Sequence, residues 1–133
     1  VVDKVVAAKE IPGSVTFLKK WHDIIPCFVV SATPESELLN IVERRHMNIY
    51  FRGILGAPAT KIDNLSRLIR DNSFNPNKCI FFGDAEADYI AAHSCEVNFI
   101  GILSNSQTQS LEKHGNYPCV KDFTEILFLH DRQ

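Results

Sequence analysis

The chain has little that would tie it to a metal cluster, a membrane or a nucleic acid. Its four cysteines, Cys27, Cys79, Cys95 and Cys119, form no CxxC pair and no Cys/His ligand spacing, which argues against a structural zinc site and for reduced thiols. Two of them, Cys27 and Cys79, open apolar runs, where cysteine acts as a small hydrophobe. The five histidines show neither HxxxH nor HExxH, and no Gly-rich phosphate loop of the GxGxxG or GKT/S kind occurs. No apolar run approaches the ~20 residues that span a bilayer, and the opening "VVDKVVAAKE" lacks the basic region and apolar stretch of a secretory signal. A cytoplasmic location without a membrane partner is therefore expected. The net charge is −2 with the signs interspersed, so no basic stripe offers itself to nucleic-acid phosphates. No methionine stands at residue 1, and the chain is expected to begin inside a longer one.

What is present is an alternation of apolar runs and helix-like stretches, the pattern of a parallel sheet covered by helices. The expected strands are "CFVVS" (27–31), "YFRGIL" (50–55), "CIFFG" (79–83) and "VNFIGIL" (97–103). Their continuous apolar character suits strands buried on both faces. A helix is expected over "SVTFLKKWHD", with Val15, Leu18 and Trp21 on one face. Another is expected over "PESELLNIVERRH", with Thr33 as N-cap, Pro34 in the first turn and Leu38, Leu39 and Val42 as its stripe. A third, "KIDNLSRLIRDN", carries Ile62, Leu65, Leu68 and Ile69 on one side. Later stretches "SQTQSLEKHG" and "DFTEILFLH" read as helices, the second with a capping box of Asp122 and Glu125. With no repeat, low-complexity tract or linker, residues 1–133 are expected to form one domain.

In open parallel sheets, ligands bind beyond the carboxyl ends of the strands. Three places there carry polar residues. Ser31, Ala32 and Thr33 precede a helix N-terminus, where free N–H groups favour an anion, although simple helix capping would account for the two hydroxyls equally well. Lys61 stands at a helix start, where a cation opposes the macrodipole; it is either a solvated surface lysine or is held there for another reason. Asp84 follows "CIFFG", and Asp88 lies one helical turn later on the same side, an arrangement that could hold a hard divalent cation. The bland alternative makes Asp84 a helix cap and Asp88 exposed.

A strand ending in Ser31, a helix-initial Lys61 and the run Gly83-Asp84-x-x-x-Asp88 resemble, in that order, motifs II, III and IV of the haloacid dehalogenase-like hydrolase superfamily. "IPGSVTFLKKW" and "FRGILGAPATK" resemble the stretches leading into motifs II and III. The resemblance implies a Rossmann-like, three-layer α/β/α core and a phosphatase that acts on a small phosphorylated metabolite through an aspartyl-phosphate. It implies that Ser31, Ala32, Thr33 and Lys61 hold the phosphoryl group, with Ser31 and Lys61 taking part in catalysis. Asp84 and Asp88 would then hold Mg²⁺.

The same family carries a DxDx[TS] motif whose first aspartate is the nucleophile, and no DxD occurs in these 133 residues. The motif I strand and most of the cap domain are thus expected upstream, in a missing N-terminal segment of the full-length chain, with residues 1–9 as the tail of the last cap helix. The sheet should leave room for that strand between 27–31 and 79–83. An alternative in which "VVDKVVA" is the strand and Asp3 a degenerate nucleophile fails to supply the second aspartate. The rival from another class is a non-catalytic regulatory module that binds phosphate and metal without turnover.

Overall fold

Side chains on successive strand residues point to opposite faces of a sheet, and the chain uses both faces. The computed structural model describes residues 14–103, 117–121 and 123. The elements run α1 (Ser14–Trp21), β1 (Phe28–Pro34), α2 (Glu35–Arg44), β2 (Gly53–Ala57), α3 (Lys61–Asp71), β3 (Ile80–Gly83), α4 (Glu86–Ser94), β4 (Asn98–Ile102) and β5 (Cys119–Val120). Two apolar cores result. Val29 and Phe82 face one side with Phe17 and Leu18 of α1 and Leu38 and Val42 of α2. Phe28, Val30, Phe81 and Phe99 face the other with Leu65, Leu68 and Ile69 of α3 and Ala91 and Ala92 of α4. The architecture is a Rossmann-like α/β fold with helices on both faces of parallel strands.

All ladders among the described residues are parallel. β1 pairs β2, with Val29 opposite Ile54 and Val30 opposite Leu55; β3 pairs β4, with Phe81 opposite Phe99, and β4 pairs β5. The pairings form two sheets, β1-β2 and β3-β4-β5, with no ladder between β1 and β3 among the described residues. Both cores nonetheless take side chains from both sheets. An apolar cleft of about 200 Å³ opens between the start of β1 and the start of β3, with Phe17, Trp21, Cys27, Phe28, Cys79 and Phe82 in its walls.

Several expected boundaries shift. Tyr50 belongs to a 3₁₀ turn (Asn48–Tyr50) and Phe51 is buried in the α1/α2 core, so β2 begins at Gly53. Thr33 is not the N-cap of α2: β1 stays extended through Pro34, which takes the cap position without a side-chain hydrogen bond. The reason is local: Pro34 itself is extended (φ −53°, ψ 135°), so it cannot be the first helical residue and the helix starts at Glu35. Leu39 and Ile62, expected on apolar faces, are 47% and 40% exposed, and buried Asn64 takes a place on the inner face of α3. The two-residue β5 was not foreseen. Residues 1–9, the stretch 106–115 and the proposed Asp122/Glu125 capping box lie outside the described residues.

Helices α2, α3 and α4 end alike. His46, Ser73 and Glu96 each adopt positive φ (56°, 55° and 60°). The N–H of the next residue, Met47, Phe74 or Val97, donates to Val42, Ile69 or Ala92 five residues back, at 2.9–3.0 Å. This is the Schellman arrangement, normally built on glycine at the left-handed position. Each time, an apolar residue follows and turns the chain back toward a strand.

Candidate active site

Burying a polar side chain costs free energy unless it is hydrogen-bonded, so the placement of such residues is informative. Among the described residues the buried polar side chains are Ser31, Asn64, Asp84 and Asp88. Ser31 lies within β1, Asp84 directly follows β3, and Asn64 and Asp88 lie in the first turns of α3 and α4, the helices that follow β2 and β3. The starts of β1 and β3 share one cleft, and the segments that follow β2 and β3 meet through Lys61 and Asp88. The strands of both sheets therefore run the same way and open onto one edge.

Gly83 ends β3 and makes the Asp84–Asp88 turn possible. A Cβ at Gly83 would lie 2.3 Å from Asp88 Cβ and 2.7 Å from its Oδ2. In the space this leaves, the Asp88 carboxylate folds back: Oδ2 accepts from the Asp84 N–H at 3.2 Å and from the Ala85 N–H at 3.1 Å. These are N–H groups at the entry to α4 that the helix itself cannot satisfy. Oδ1 takes the Lys61 ammonium. Asp88 has no exposure and the Lys61 side chain only 9%. Asp88 is thus no exposed surface acid, and Lys61 is no solvated lysine. Asp84, 4% exposed, sits between the end of β3 and this turn.

The loop before Lys61 is equally constrained. The Thr60 hydroxyl accepts from the Asp63 N–H at 3.1 Å and caps α3. Gly56 lies so close to the β1–α2 junction that a Cβ would stand 2.4 Å from the Thr33 carbonyl oxygen, and its N–H donates to Glu35 Oε1 at 3.4 Å. The peptide bond between Ala57 and Pro58 is cis. On the facing strand end, buried Ser31 donates from Oγ to Thr33 Oγ1 at 3.2 Å and accepts from the Thr33 N–H at 3.2 Å, while Ala32 is exposed.

The arrangement joins Lys61 to the Asp88 side chain and Asp88 to the Asp84 backbone N–H, and Gly56 presses the lysine's loop against the strand end that carries Ser31 and Thr33. Gly56, Glu35 and Asn64 were not singled out from the sequence. Only the turn-like "GAPAT" spelling before Lys61 hinted at a shaped loop.

For a divalent cation the donor set is partial. Oδ1 of Asp88 is engaged by an ammonium and Oδ2 by two N–H groups. No group of three or more His, Cys, Asp or Glu side chains converges among the described residues. Asp84 fits as one hard oxygen ligand of a cation that keeps several waters, as Mg²⁺ does; its other ligands would come from substrate or from chain outside the described residues. No helix among the described residues is long and apolar enough to cross a membrane.

The class defined by this fold and edge is an open parallel α/β core with buried polar groups beyond its strands. The family model for the haloacid dehalogenase-like hydrolases matches residues 2–102, and the chain belongs to that family. Solved structures agree on the fold. One is a haloacid dehalogenase-like family hydrolase from Streptococcus pneumoniae (TM-score 0.76, 17% identity, 89% of this chain and 59% of that one). Another is a predicted phosphoglycolate phosphatase from Haemophilus somnus (0.79, 18%, 92% and 57%). A third is a predicted phosphatase from Clostridium acetobutylicum (0.72, 23%, 91% and 58%). At such identities the likeness concerns the fold alone, and the chain spans less than two thirds of each relative's length. No curated protein sequence matches it.

Proposed function

We propose that this chain forms most of the active-site edge of a Mg²⁺-dependent phosphatase acting on a small phosphorylated metabolite. The observation that carries the reading is the buried Lys61–Asp88 pair beside buried Asp84, at the mouth of parallel strands whose neighbouring end presents Ser31 and Thr33. An ammonium held this way is a fixed positive charge, able to stabilise the negative charge of a transferring phosphoryl group without reorganising. The Ser31 and Thr33 hydroxyls can turn to donate to phosphate oxygens, with exposed Ala32 between them adding a backbone N–H. Asp84 holds the cation, and Asp88 supports it by fixing both Lys61 and the turn that presents Asp84. When bound, Mg²⁺ supplies Lewis-acid polarisation and charge neutralisation to the phosphate.

The nucleophilic aspartate of the aspartyl-phosphate route is placed on a strand upstream of these residues, seated between β1 and β3. Support comes from facing edges that carry no ladder among the described residues, the cleft at their starts and the two cores that already bridge the gap. A second reading, a module that binds phosphate and cation without turnover, applies if that upstream strand carries no DxD.

The two separate in one assay of the full-length protein. The phosphatase reading expects hydrolysis of an aryl phosphate that EDTA abolishes and Mg²⁺ restores. Binding of inorganic phosphate by calorimetry with no turnover establishes the module instead, and metal-independent hydrolysis overturns the role given to Asp84.

A further inference from the structure

We propose that Asn64 is a positioning residue for Lys61, acting through the loop that connects β2 to α3. The inference rests on the catalytic reading of Lys61 for its consequence, but not for its geometry.

Asn64 has no exposure although it lies on a helix whose other buried residues are Leu65, Leu68 and Ile69. An amide in such company costs stability unless its hydrogen-bonding capacity is met. Here it is met in one direction only, toward the loop and its own helix. Nδ2 donates to the Gly56 carbonyl at 3.1 Å and, at the limit of a hydrogen bond, to the Ala59 carbonyl at 3.5 Å. Oδ1 accepts from Arg67 Nη2 at 2.8 Å, which fixes the orientation of the amide. The Asn64 backbone N–H donates to the Thr60 carbonyl at 2.9 Å. Residues 56, 59 and 60 are thereby tied to a single side chain and its own backbone, and Lys61 follows directly.

The far end of the same loop is fixed independently. Gly56 abuts the Thr33 carbonyl and donates its N–H to Glu35 Oε1, so the clamp is anchored to the strand end that carries Ser31. Asn64 therefore sets the distance between the two halves of the phosphate site: the hydroxyls after β1 and the ammonium that reaches Asp88 on α4. A leucine there would pack as well as its neighbours do, but would leave two loop carbonyls without their donors and the loop free to shift. A displacement of about 1 Å at a catalytic group can cost on the order of 10²-fold in rate.

The test uses the full-length protein with Asn64→Asp, which keeps the size but removes both N–H donors, and Asn64→Ala as a second variant. Asn98→Ala serves as the control, since Asn98 ties down two carbonyls, Asn77 at 2.8 Å and Cys79 at 3.1 Å, at the opposite end of the strands. Crystal structures of the Asn64 variants are expected to show Lys61 withdrawn from Asp88 with the β1–β2 register kept. The kcat for an aryl phosphate should fall on the order of 10²-fold, whereas Asn98→Ala loses melting temperature without loss of kcat. Lys61 remaining against Asp88 in both Asn64 variants overturns the proposal. Lys61 displaced with kcat unchanged leaves the positioning role standing and removes instead the catalytic role given to Lys61.

Discussion

A lysine side chain 9% exposed and a carboxylate with no exposure depend on each other for their charge. Removing one partner of such a pair strands the other in a poorly solvated place, at a cost of about 3–5 kcal/mol. Asp88→Ala should therefore lower the unfolding free energy, read from urea titration, by that much, with two N–H groups at the entry to α4 losing their acceptor as well. Gly83→Ala acts on the same carboxylate from behind, since the new methyl overlaps Asp88; a loss of roughly 1–3 kcal/mol is expected by the same measurement. Thiols report on another property. Burial raises the pKa of Cys27, Cys79 and Cys95, with Asp63 adding to the effect at Cys95. The folded chain keeps these protons where the unfolded chain releases them. Stability is thus undiminished below about pH 8.5, the ordinary thiol value, and falls as the pH rises beyond it toward the raised values. Urea midpoints at pH 7 and pH 9.5 should show the decline, reduced in a Cys27→Ala/Cys79→Ala/Cys95→Ala variant.

At the scale of elements, the strands β1, β3 and β4 were legible because a strand buried on both faces leaves a continuous apolar run. Helix α3 was legible through its amphipathic period and its expected start at Lys61, whereas its Thr60 cap was not. The boundaries that shifted depend on context. Phe51 looks like strand but is drawn into the α1/α2 core after a 3₁₀ turn, and β5 is too short to carry a pattern. Helix ends at His46, Ser73 and Glu96 carry no glycine, so the usual stop signal is missing where the backbone turns left-handed. That predicts a stabilising substitution: Glu96→Gly relieves a left-handed penalty of about 1–2 kcal/mol, offset in part by glycine's greater unfolded entropy. A net gain of roughly 0.5–1 kcal/mol should appear as a raised melting temperature. No change would mean that the turn is held by the Val97 contact alone.

For the whole molecule, the order of Ser31, Lys61, Asp84 and Asp88 in the sequence was enough to reach the family that the comparison assigns. What that order did not contain was the support beneath it. Asn64 looks like an ordinary helix polar residue until the loop carbonyls of Gly56 and Ala59 come within reach, and Gly56 looks like any turn glycine until Thr33 crosses it. Both act through tertiary contacts that have no spacing to read. The gap between β1 and β3 belongs to the same scale, and predicts that a longer chain supplying an upstream strand melts higher than residues 1–133 alone. The central claim is that the edge where Asp84 meets the Lys61–Asp88 pair is a phosphate-processing site. Its most direct test is kcat/KM for an aryl phosphate, with Mg²⁺, of the full-length protein and its isosteric Asp84→Asn variant. The site described here predicts a fall on the order of 10²–10³-fold, as for loss of one fixed electrostatic contact to a transition state, with the melting temperature nearly unchanged; unchanged turnover in Asp84→Asn would contradict it.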